Sequence, residues 1–180
     1  MKKAHIILPF VWLLFRIVIW KSGIFENALS ASIMCNLLFL IIVVYVGIGH
    51  FRNTEASTLE IAKEGMRKAA LYSLLLCALL FVYYQFIDTD FYAQRVQQII
   101  ALQQEKVESE GGWEAVRSKL APRAQTTESE YWEEQKSSLE QFSSPWSIAS
   151  ISLLILVFGG AIYSLVATLL QKRLMRTVKR

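Results

Sequence analysis

The sequence predicts an all-α membrane protein, with four transmembrane helices and a long extracytoplasmic helical hairpin between spans 3 and 4. Three observations lead there. The apolar residues are gathered into four long stretches, Ala4–Trp20, Ala28–Gly49, Ala69–Ile87 and Trp146–Leu170. Of the 19 basic and 15 acidic side chains, only Arg16 falls inside those stretches. The connection between the last two stretches, residues 88–145, carries helical rather than strand periodicity. With 54% hydrophobic residues and a mean hydropathy of +0.36, the chain is more apolar than an ordinary soluble domain. A cytosolic enzyme, a secreted disulfide scaffold and a disordered tail are all excluded.

A helix rises about 1.5 Å per residue, so about 20 apolar residues cross a bilayer core roughly 30 Å thick. Backbone N–H and C=O groups in lipid must pair within the segment, and each span is therefore a helix. The first span is the shortest and contains Pro9 and Arg16. Pro9 stands near its start, where a missing donor costs less than in mid-helix. Lys2, Lys3 and the apolar run resemble a secretory signal. Arg16 interrupts the run and a second span follows at once, so an anchor that remains is the expectation.

Basic residues set orientation. Lys2 and Lys3, the link with Arg52, Lys63, Arg67 and Lys68, and the tail with Lys172, Arg173, Arg176, Lys179 and Arg180 fall on one side of a four-span chain. Residues 88–145, with 11 acids and 6 bases, fall on the other. Both termini are expected on the cytoplasmic side and the long loop outside. Trp20, Tyr83, Tyr84, Phe86 and Trp146 sit near the outer span ends, where aromatic residues favour the half-wet zone. Core packing is the alternative for each.

Ser57 and Glu60 have capping-box spacing. No proline follows before Ile87, and Gly65 weakens a helix by only about 1 kcal/mol relative to Ala. One helix from about Thr58 through the third span is expected, supported by the Glu64/Lys68 pair. Its emergent turns are either a solvated extension or a docking surface. In the loop, Phe91–Glu108 and Glu128–Phe142 read as helices, with a short one at Trp113–Leu120 between the Gly111-Gly112 break and Pro122. The first and last are expected to pair, Tyr92, Val96 and Ile99 against Trp132 and Leu139.

Little in the chain carries chemistry. Cys35 and Cys77 are both in mid-span, and His5 and His50 stand apart at span ends, so no metal-ligand spacing exists. Asp88-Thr89-Asp90 has the form of an aspartate pair that holds a divalent metal on a nucleotide sugar. Its place before a helix favours capping of free N–H groups instead. Arg16 lies four residues from Trp20, about 6 Å below the span end. It is expected to snorkel or to pair with Asp88 or Asp90, with substrate binding as the functional alternative. Asn36 is expected to hydrogen-bond between helices. Ala28-x-x-x-Ser32 and Gly160-x-x-x-Ser164, with Gly159, have the small-residue spacing that lets helices approach closely. No catalytic, metal-binding or cofactor-binding residue is assigned.

Phe51-Arg52, Lys68-Ala69-Ala70-Leu71, Tyr83-Tyr84 with Phe86, Asp90-Phe91-Tyr92, Ser144-Pro145 and Gln171-Lys172-Arg173 together resemble the four-span bacterial inner-membrane family known as domain of unknown function 4199. Where many members carry a Gly-rich turn before the third span, this chain has Glu55-Ala56-Ser57-Thr58. The resemblance covers nearly the whole chain and implies four spans and an inner-membrane location. It supplies no catalytic residues. Members look like neighbours of a polyprenyl-phosphate sugar transferase, which implies an accessory subunit. The expectation is a non-enzymatic accessory or scaffold protein, whose partners are membrane lipids and another protein rather than nucleic acid. The alternative is a small transporter or lipid-handling protein, which requires polar groups converging at mid-depth.

Overall fold

The computed structural model describes residues 3–22, 28–49, 51, 56–119 and 127–178, of which 28, 29, 119 and 174–178 are described by their backbone alone. Seven α-helices and no strand occur among them. They are α1 (Ala4–Ser22), α2 (Ala28–Gly49), α3 (Thr58–Phe86), α4 (Phe91–Ser109), α5 (Gly112–Lys119), α6 (Glu128–Phe142) and α7 (Pro145–Val178). Four of them, α1, α2, α3 and α7, are long and apolar enough to cross a membrane. The chain divides into two compact units, residues 1–83 with 149–180, and residues 84–148.

Local chemistry explains where the helices start and stop. Ser57 Oγ accepts from the Glu60 N–H at 3.2 Å while the Glu60 carboxylate accepts from the Ser57 N–H at 2.7 Å. This reciprocal cap starts α3 at Thr58, and nothing interrupts it before Phe86. In α1, Pro9 is buried inside the helix and cannot donate to the His5 carbonyl. α7 starts at Pro145, where a proline costs least.

In the first unit the spans form an up-down-up-down bundle. Trp12 meets Ser32, and Ala4 and His5 share a cavity with Val43 and Gly47, so α1 and α2 run antiparallel. Gly47 of α2 approaches Gly65 and Lys68 of α3, and Gly160 and Ser164 of α7 approach Ala69 and Gly65. The third span is the hub: 44% of its most apolar window is buried, against 22% for α7. Its inward face presents Ile61, Ala69, Tyr72, Leu76, Leu80 and Tyr83. α7 turns Leu154, Ile155, Phe158 and Ile162 outward, the face a membrane helix gives to lipid.

The second unit is built from α4, α5 and α6. α4 packs against both α5 and α6, and Val96 is its buried residue. Gly111 and Gly112 take φ of +113° and +77°, which only glycine adopts without strain, so the break between α4 and α5 falls there. The Tyr84 ring lies 4.6 Å from Tyr92 and 5.2 Å from Phe91, and Trp113 lies 5.4 Å from Tyr131. α6 opens on a second capping box: Thr127 Oγ1 accepts from the Glu130 N–H at 3.3 Å, and Glu130 accepts from the Thr127 N–H at 2.8 Å. Pro122 lies outside the described residues.

Candidate functional site

Two features of the bundle bring polar groups into an apolar setting. One is a seam between α1, α2 and α3. The Trp12 indole N–H donates to Ser32 Oγ at 2.9 Å, with both residues buried. Tyr83 meets Trp12 edge-on at 6.4 Å, and the Arg16 guanidinium carbon lies 5.5 Å from the Tyr83 ring centroid. Arg16 is only 1% exposed, so its side chain lies within the protein rather than along its lipid-facing side. Asp88 is buried and Asp90 exposed, both in the second unit.

The second feature is a cavity of about 280 Å³ at the end of the bundle where α1 begins. Ala4, His5, Val43, Val46, Gly47, Glu64 and Lys68 line it. A Cβ on Gly47 would stand 3.1 Å from Lys68 Cγ, so the missing side chain leaves room for the lysine stem against α2. Glu64 accepts two 2.8 Å hydrogen bonds from Arg67, and Lys68 Nζ stands 3.6 Å from the same carboxylate.

The remaining sequence-derived positions fall as follows. Gly160 faces Ala69 so closely that an added Cβ would stand 2.5 Å from the Ala69 Cβ, whereas at Gly159 the nearest atom, Leu40 Cδ2, is 3.7 Å away. Ser164 is fully buried and donates to the Gly160 carbonyl at 2.7 Å. Asn36 accepts a 3.4 Å hydrogen bond from the Tyr72 hydroxyl at its backbone carbonyl, while its side-chain Oδ1 is buried without a hydrogen bond. Ala28 opens α2, and its side chain lies outside the described residues. Asp90 does not cap α4 with its side chain as expected. Its backbone is already helical, at φ −88° and ψ −9°, whereas a capping side chain needs an extended backbone to reach the next N–H groups. The aromatic residues also divide. Trp20, Phe86 and Trp146 are exposed, but Tyr83 and Tyr84 are buried and serve packing.

Sequence reasoning missed Gly65, taken there only as a weak point of α3. A Cβ on Gly65 would come within 2.8 Å of Ser164 Oγ and 3.0 Å of Ile48 Cγ2. Gly65-x-x-x-Ala69-x-x-x-Ser73 has the same small-residue spacing as its partner on α7 and was the available signal. Trp12, Tyr72 and the His5/Lys68 pair carried no comparable signal, because their significance depends on which helices become neighbours. Among the described residues no cluster of three or more His, Cys, Asp or Glu is placed to hold a metal ion.

The class this architecture defines is that of a helical multi-pass membrane protein. Its family follows from comparison: the profile of DUF4199, described as a protein of unknown function, matches residues 5–173, and the chain belongs to that family. No curated protein and no solved structure matches it.

Proposed function

We propose that this protein is a non-enzymatic accessory or scaffold protein of the bacterial inner membrane. Both termini are cytoplasmic, and residues 84–148 form an extracytoplasmic helical unit that engages a protein partner. The observation that carries this reading is that the long connection is a compact body of its own. A mere link between two adjacent spans needs only a few residues, so the additional chain has another use. The charge distribution supports the orientation, with bases concentrated at the termini and in the link around Lys63–Lys68 and acids in the loop. A polyprenyl-phosphate sugar transferase is the partner class brought forward by the family resemblance.

The transporter reading needs polar groups that converge at mid-depth and stay available. Ser73, Ser164 and Thr168 are buried, but each hydroxyl donates to the carbonyl four residues earlier in its own helix, at 2.7–2.8 Å. Such groups satisfy themselves locally and do not offer a path, which favours the scaffold. The deciding experiment joins Asp90 to Ser143 through a short Gly/Ser linker, followed by affinity purification in mild detergent. The shortened protein is expected to insert, because each span carries its own apolar drive and internal hydrogen bonds, and to lose its partner. A shortened protein that folds and retains both partner and phenotype refutes the role of the second unit.

A further inference from the structure

The cavity between α1, α2 and α3 has a composition that the scaffold reading does not use, and its location identifies what it meets. α1 is 19 residues long, about 28 Å at 1.5 Å per residue, so it just crosses a core of roughly 30 Å. Its first turn, with Ala4 and His5, therefore lies at one boundary of the apolar layer, where lipid headgroups begin. Gly47 in the last turn of α2, and Glu64 and Lys68 just before the apolar part of α3, lie at the same level because they share the cavity.

The electrostatics are lopsided. Arg67 occupies the Glu64 carboxylate through two 2.8 Å hydrogen bonds. Lys68 is held more loosely, at 3.6 Å, beyond the reach of a good hydrogen bond. Its side chain is 19% exposed, with the stem against Gly47, and its ammonium carries three donors. His5 lines the same space. Counting Arg67, which lies outside the lining, the basic side chains outweigh Glu64 by one positive charge. The rest of the wall, Ala4, Val43, Val46 and Gly47, is apolar. At about 30 Å³ per water, the cavity holds the volume of roughly nine waters. That suits a phosphate diester and excludes a whole lipid. Beside it the first two turns of α1 expose Ile6, Ile7 and Phe10, an apolar surface along which acyl chains can lie.

We infer that this cavity is a lipid-headgroup site, in which Lys68 and His5 receive the phosphate of an anionic phospholipid while its acyl chains stay in the bilayer beside α1. Basic pockets between transmembrane helices bind anionic headgroups in this manner. The inference does not depend on which side of the membrane this end of the bundle faces, nor on any partner of the second unit.

The test is native mass spectrometry of the full chain in mild detergent, titrated separately with phosphatidylglycerol, inorganic phosphate and uncharged diacylglycerol. Phosphatidylglycerol is expected to bind and diacylglycerol not. Lys68→Gln removes the charged donor and is expected to weaken binding about tenfold. Val46→Phe fills the cavity without changing any charge and is expected to do the same. Thermal midpoints identify a variant that fails to fold, in which case the other decides. Lys63→Gln removes an exposed charge from the same helix and is expected to leave affinity within about twofold. Three results each overturn the inference. Lys63→Gln weakens binding as much as Lys68→Gln, which signals diffuse surface attraction. Diacylglycerol binds as well as phosphatidylglycerol, so the phosphate is irrelevant. Inorganic phosphate binds through Lys68 while the lipid does not, and the ligand is then a soluble anion.

Discussion

Gly160 and Gly159 are adjacent in sequence, yet the bundle treats them oppositely, and this makes a sharp test of the helix packing. An alanine at 160 places its Cβ 2.5 Å from the Ala69 Cβ. Carbon atoms prefer about 3.5–4.0 Å, so α3 and α7 must separate locally by about 1–1.5 Å. A gap of about 0.5–1 Å already forfeits a quarter to a half of each neighbouring dispersion contact. Overpacking of this kind costs about 1–3 kcal/mol, while replacing Gly by Ala in a helix returns about 0.5–1 kcal/mol. The net expectation for Gly160→Ala is a loss of up to about 2.5 kcal/mol, centred near 1 kcal/mol, or a thermal midpoint lower by about 2–4 °C at that centre for a chain of this length. Gly160→Leu loses more. Gly159→Ala puts its Cβ at an ordinary 3.7 Å from Leu40, so its midpoint is expected to hold or rise slightly. Adding Ala69→Gly to Gly160→Ala removes the clashing partner and restores most of the loss. The assay is thermal unfolding in mild detergent, followed by far-UV circular dichroism. Equal midpoints for Gly160→Ala and Gly159→Ala, or no rescue by Ala69→Gly, refute the close approach of α3 and α7.

Reporter fusions after Gly112 are expected to be active outside the cytoplasm, and fusions after Lys63 or Arg180 to behave as cytoplasmic; an extracytoplasmic signal at Arg180 sinks the proposed orientation. A double-mutant cycle on Trp12→Phe and Ser32→Ala should give a coupling near the average of about 0.6 kcal/mol for hydrogen bonds between membrane helices, and not above about 1.7 kcal/mol, and zero coupling contradicts their contact. The Thr127 backbone N–H, with the hydroxyl as a second donor, holds the Glu130 carboxyl below its usual range. A depressed folded value means that the cap stabilises α6 above the ordinary glutamate value and fades as pH falls through the folded one. The protection factors at the start of α6, in which the intrinsic pH dependence of amide exchange is divided out, should therefore fall on acidification in the native protein, and Glu130→Gln should flatten that fall; identical protection profiles for the two discount the cap. Thr127→Ala should speed the same exchange about fivefold.

Most of the helix boundaries were legible in the sequence because they are decided locally. The Ser57/Glu60 cap, the Gly111-Gly112 break and the start at Glu128 depend on residues within one or two turns. The lengths of the apolar runs are set by the thickness of a membrane. The partial miss at Asp90 shows the limit of that reasoning: residue type suited a cap, but the backbone conformation at that position did not.

Only the tertiary structure decided which side of each span faces inward. In a soluble helix an apolar stripe marks the core. In lipid both the outside and the inside are apolar, so α2 and α7 carry no stripe from which to read a face. The roles of Gly65, Trp12 and Tyr83 therefore appear only once α3 is found at the centre of the bundle. The same holds for the cavity, whose lining comes from three helices and from positions 4–5, 43–47 and 64–68. Their separation along the chain hides the site, and antiparallel packing brings it together. What the sequence determined was the set of helices and their lengths, through local hydrogen bonding and transfer of apolar segments into lipid. What tertiary structure decided was their contacts, because close packing between helices depends on shape at facing positions rather than on how apolar those positions are.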